Sequence, residues 1–110
     1  MNEDKIQKFF SALISKTKNN ELQWTRCSNT DFNFPRFVNA ELSFLCAYNR
    51  GDIALYCDKI GTLSCWITPD ENLSEQQVGE PDDPSLLRLY NIVHSRFPSV
   101  ESFMDNIINN

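Results

Sequence analysis

Near the amino end, apolar residues return every three or four positions. Ile6, Phe9, Phe10, Leu13 and Ile14 form a stripe, while Lys5, Lys8, Ser15 and Lys16 face away from it. This spacing predicts a helix over Glu3–Lys18, ended by Asn19-Asn20. Glu21–Cys27 reads as a short strand with Leu22, Trp24 and Arg26 on one face. Period two then takes over. Leu42, Phe44, Cys46 and Tyr48 share a face of Glu41–Tyr48; Ile53, Leu55 and Cys57 share one of Asp52–Asp58; Leu63, Cys65 and Ile67 share one of Thr62–Thr68. With the first strand, these segments predict a four-stranded antiparallel meander that buries one face.

Turn residues set the expected register. A two-residue turn at Arg50-Gly51 places Cys46 opposite Leu55 and Phe44 opposite Cys57. A three-residue turn at Lys59-Ile60-Gly61 places Leu55 opposite Cys65 and uses Gly61 as the left-handed residue. Pro69–Asp83 has no basic residue and reads as a long polar connection, part of it mobile. Helical spacing then returns. Asp83-Pro84 supplies an N-cap and first residue for a helix to about Arg96, with Leu86, Leu89, Tyr90, Val93 and Phe97 inward. Pro98 ends it, and Ser99 caps a last helix whose apolar face is Val100, Phe103, Met104, Ile107 and Ile108. The expected architecture is one α+β domain over residues 1–110: an N-terminal helix, the four-stranded meander, and two C-terminal helices packed on one sheet face.

The stretch SNTDFNFPRF sets Phe32, Phe34 and Phe37 among turn formers. The outward positions of the meander are Leu45, Ala47, Ala54, Tyr56, Ser64, Trp66 and Thr68. Two readings follow: the Phe-rich loop folds across this face as a plug, or the rings form an aromatic patch for a partner.

An apolar fraction of 41%, with eight Phe, two Trp and three Tyr, belongs to a folded chain. No apolar run approaches the roughly 20 residues that span a bilayer. The start, Met-Asn-Glu-Asp, lacks the basic and apolar regions of a secretion signal, so a cytoplasmic location is expected. The net charge of −5 is unevenly spread: residues 1–69 are close to neutral, while residues 70–110 hold two Arg against eight acids. This argues against a phosphate-binding surface and points to a basic protein partner rather than direct nucleic-acid binding.

Candidate chemistry is sparse. Cys27, Cys46, Cys57 and Cys65 contain no close-spaced pair of the kind structural zinc sites use, and their parity points inward, so reduced, metal-free thiols are expected. His94, the single histidine, sits on a helix flank. Three glycines form no phosphate cradle, and Glu80, Asp82 and Asp83 lack the spacing of a calcium loop. No cofactor, metal or catalytic constellation is expected.

Two segments, IQKFFSALISKTKNNELQW and LYNIVHSRFPSVESFMDNII, resemble short uncharacterised proteins of Gram-positive gut bacteria and their mobile elements. The resemblance implies phage, plasmid or defence-island cargo and assigns no functional residue. In size and charge the chain resembles anti-defence inhibitors. The expected function is a non-enzymatic interaction module, an inhibitor binding a host or rival protein. Its partner surface would be Trp66, Tyr56, Phe32, Phe34, Arg36, Glu80, Asp82 and Asp83, and the outer sheet face could also pair two copies. An alternative is a small-ligand, nucleotide-like binding protein using Trp66, Tyr56 and the Phe loop, with Arg26, Arg36 or Arg50 beside the rings. A third reading is a thiol enzyme using Cys27 or Cys57 with His94.

Overall fold

In the computed structural model, residues 2–30, 35 and 37–110 are described. Among them lie three α-helices, Glu3–Lys18 (α1), Pro84–His94 (α2) and Val100–Ile108 (α3). They also form five strands: Trp24–Arg26 (β1), Phe44–Tyr48 (β2), Gly51–Cys57 (β3), Leu63–Thr68 (β4) and Gln76–Val78 (β5). The strands make one antiparallel sheet in chain order, so the protein is α+β.

The helix ends follow their sequence signals. Asn2 caps α1, its side chain accepting from Asp4 N at 2.7 Å, and acids at the start with lysines at the end suit the helix dipole. Asp83 caps α2 by accepting from Ser85 N at 2.8 Å, with Pro84 in the first turn. Ile6, Phe10, Leu13 and Ile14 of α1 and Leu86, Leu89, Tyr90 and Val93 of α2 pack on the inner sheet face. There they meet Phe44, Cys46, Ile53, Leu55, Cys57, Leu63, Cys65 and Val78. Three of the four cysteines thus serve as small apolar fillers, as their parity predicts.

Four features differ from the sequence-based expectation. The sheet has a fifth strand inside the supposed mobile connection, with Val78 paired to Cys65. The first strand is only Trp24–Arg26, and β2 begins at Phe44, because Ala40–Leu42 forms a single 3-10 turn. The β2–β3 turn is Asn49-Arg50, pairing Phe44 with Leu55 and Cys46 with Ile53. Asn49 takes the positive φ of 55° that the turn needs. Gly51 lies inside β3, where a Cβ would stand 2.1 Å from the Thr68 carbonyl oxygen. The shift is two residues, so the inward and outward sets survive it. Fourth, the helices packed on the sheet are α1 and α2; α3 buries none of its residues.

The second hairpin keeps its expected register, with Leu55 opposite Cys65 and Gly61 at φ 92°. The Asp58 carboxylate accepts from Ile60 N and Thr62 N, at 2.9 Å each, and so closes the turn.

The outer face is largely covered by the chain's own return from β1. Cys27, Val38, Leu45, Ala54 and Tyr56 make a second buried cluster, with Ala40 and Trp66 against it. Asn39 N donates to Cys57 O at 2.8 Å and Lys59 N to Phe37 O at 3.0 Å, which ties residues 37–39 along the end of β3. Val38 and Cys27 therefore supply plug contacts. Phe37 is half exposed, and Phe32, Phe34 and Arg36 lie outside the described residues.

Candidate functional site: the C-terminal helix and its root

Among the described residues of the expected partner surface, not all are open to a partner. Tyr56 is fully buried, its hydroxyl donating to Glu75 Oε2 at 3.0 Å. It holds the outer face together and offers a partner no surface. Trp66 is half-buried on the same cluster and donates through Nε1 to Ser64 Oγ at 3.0 Å. Asp82 exchanges two hydrogen bonds with Leu63, one through its carboxylate and one through its backbone N–H, both 2.9 Å. Asp83 is the α2 cap and also accepts from Gln7 Nε2 at 3.2 Å. These two acids fasten the segment after β5 to the body, whereas Glu80 is exposed. Of the arginines expected beside the outer rings, Arg26 and Arg50 are described, and both lie elsewhere. Arg26 lies on the opposite sheet face, paired in register with Phe44, and Arg50 shares a cleft with Asn72 and with Asp70 and Glu71, whose carboxylates repel a phosphate.

Exposed apolar surface collects elsewhere. Val100, Phe103, Met104, Ile107 and Ile108 of α3 are each 54–79% exposed. At 100° per residue they fill one continuous arc. Glu101 and Asp105 follow the border beside Ile108, and Ser102 and Asn106 follow the other. The sequence identifies this stripe as apolar, but the expectation that it packs on the sheet does not hold, since α3 buries none of its residues.

The root of α3 is firmly built. Ser99 makes a capping box with Ser102, whose N–H donates to Ser99 Oγ at 3.1 Å. Arg26 donates through Nη2 to Pro98 O at 2.5 Å, and its guanidinium lies 5.4 Å from the Phe97 ring centroid. Phe97 stacks on Phe44 at 4.7 Å, and Arg96 Nη1 donates to Asn20 Oδ1 at 2.7 Å. His94 stacks on Tyr90 at 5.6 Å, and the Tyr90 hydroxyl donates to Leu42 O at 2.6 Å. A polar groove of about 460 Å³ runs beside this root, lined by Arg26, Glu41, Leu42, His94 and Val100 among others. A second, apolar slot of about 170 Å³ lies between α1 and the β2–β3 hairpin. Phe9, Leu13, Leu22 and Ile53 line it with Ala12, Lys16 and Tyr48.

The thiols are poorly suited to nucleophilic work. All four are buried and free. Burial pushes Cys27 up to about 11 and Cys65 up to about 12, and raises Cys46 and Cys57 as well. A reactive thiolate needs the opposite shift. Among the described residues no group of three or more His, Cys, Asp or Glu could hold a metal ion. No helix among them is long and apolar enough to cross a membrane.

Comparison of the chain with protein-family models, with curated proteins and with solved structures returned no match.

Proposed function

We propose that the protein is a non-enzymatic interaction module of the cytoplasm, an inhibitor of the anti-defence type that binds a host or rival protein through α3. One observation carries this reading: five large apolar side chains on a firmly rooted helix, all more than half exposed. A nine-residue helix is marginal by itself, and most helices gain their stability by packing an apolar face. An unpacked face on such a helix is the donor half of a helix-in-groove contact. Glu101 and Asp105 along one border favour a groove with Lys or Arg on its rim, and they disfavour an anionic lipid or nucleic-acid surface. The resemblance of the chain's two ends to mobile-element proteins supplies the biological setting.

Immobilised wild-type protein and a Phe103→Asp/Ile107→Asp variant are exposed to the same Gram-positive bacterial lysate. The reading expects a basic protein held by the wild type, released by salt and absent from the variant, with both baits melting alike. Identical retention by the two baits removes α3 from the function.

A further inference from the structure

We infer that α3 of one copy docks into the slot between α1 and the β2–β3 hairpin of a second copy, each copy giving its helix and receiving the other's. The slot has the character that α3 asks for. Its lining is apolar except for Lys16 and the Tyr48 hydroxyl, and Lys5 lies one turn before Phe9 on the same strip of α1. Basic side chains thus flank an apolar slot, and acidic side chains flank an apolar helix. A volume of about 170 Å³ is enough for one large side chain such as Phe103.

Position agrees with charge. Leu22 lines the slot and also a neighbouring cleft that reaches Arg96 and Phe97, so slot and helix root share one side of the molecule. A twofold axis on that side brings each helix to the other copy's slot. The inference does not depend on a foreign target; where one exists, it competes with the dimer for the same helix.

The test is sedimentation of the full chain from micromolar to millimolar concentration. The expected result is a monomer–dimer equilibrium that Phe103→Asp and Ala12→Glu each weaken at least tenfold. Both positions are exposed, and Met104→Asp and Lys16→Ala replace either variant should it fail to fold. An equimolar mixture of the Phe103→Asp and Ala12→Glu chains keeps one intact junction and associates more tightly than either alone. Lys16→Glu weakens the dimer, and adding Glu101→Lys with Asp105→Lys restores it. A wild type that stays monomeric throughout overturns the inference, whether α3 is free or folds onto its own slot. An Ala12→Glu chain that dimerises like wild type also overturns it, since α3 then pairs with itself. So does a charge reversal that restores nothing.

Discussion

Replacing Gly51 by Ala sets a methyl group 2.1 Å from the Thr68 carbonyl oxygen and 2.8 Å from the carbonyl carbon and oxygen of Pro69. Contacts of a real Cβ begin above 3.0 Å, so something must move by about an ångström. The obstacle is backbone, and no rotamer change relieves it. Thr68 ends β4 opposite Asp52, so the movement must part the β3–β4 ladder or bend the chain after it. Overpacking of a tight site costs about 1–3 kcal/mol, and a clash with backbone belongs at or above the top of that range. The expected loss is therefore about 3 kcal/mol or more. Gly61→Ala is the control: its Cβ meets nothing within 4 Å, and only the positive φ of 92° opposes it, for about 1 kcal/mol. Urea melts of the two variants beside wild type, read by circular dichroism with a common slope, measure both losses. A Gly51→Ala protein that loses no more than Gly61→Ala refutes the close approach of the Thr68-Pro69 backbone to Gly51.

Asp58→Ala removes the acceptor of two turn N–H groups and is expected to cost about 1–2 kcal/mol in the same melts, although strand parity alone marks Asp58 as an outward, tolerant position. Tyr56→Phe takes the donor from the Glu75 carboxylate and is expected to cost about 1.5 kcal/mol; an unchanged midpoint would mean that the pair is bridged to water in solution. Stability is expected to fall at high pH. The folded chain holds the Cys27, Cys65 and Tyr90 protons more tightly than the unfolded chain, where thiols titrate near 9.0, so stability is full below about pH 9 and declines as pH rises toward 11 to 12. Melts between pH 8 and 11 check the sign, and a flat profile contradicts it.

The helices were legible because their signals are redundant. In α1 the apolar stripe agrees with the acids at its start and the lysines at its end, in α2 the stripe agrees with the Asp83-Pro84 start, and α1 ends where the Asn pair predicts. Pairing was less legible. Glycine has two uses, and Gly51 is needed for close approach of backbone rather than for a turn, which Asn49 makes instead. β5 is not legible in the sequence because three residues with one apolar side chain, Val78, carry no alternation. Its acidic surroundings look like solvated loop until Asp82 is seen bonded to Leu63 and Glu75 to Tyr56. Period two puts Tyr56 and Trp66 on the outer face, where they lie, yet it cannot say whether another segment covers that face. Cys27 and Val38 cover Tyr56, and neither lies in a segment whose pattern reports its destination. The same ambiguity governs α3: an apolar stripe has one spacing whether it packs on its own sheet or waits for another molecule.

The central proposal is that the α3 face is kept for contact between molecules. Hydrogen exchange of the amides in Val100–Ile108, followed from dilute to concentrated protein, tests it most directly. The account predicts little protection in the dilute monomer, far below that of α1 and α2, and protection that rises with concentration or with a captured target. Amides of α3 as slow as those of the core helices at every dilution would contradict it, because the stripe would then be packed on its own chain.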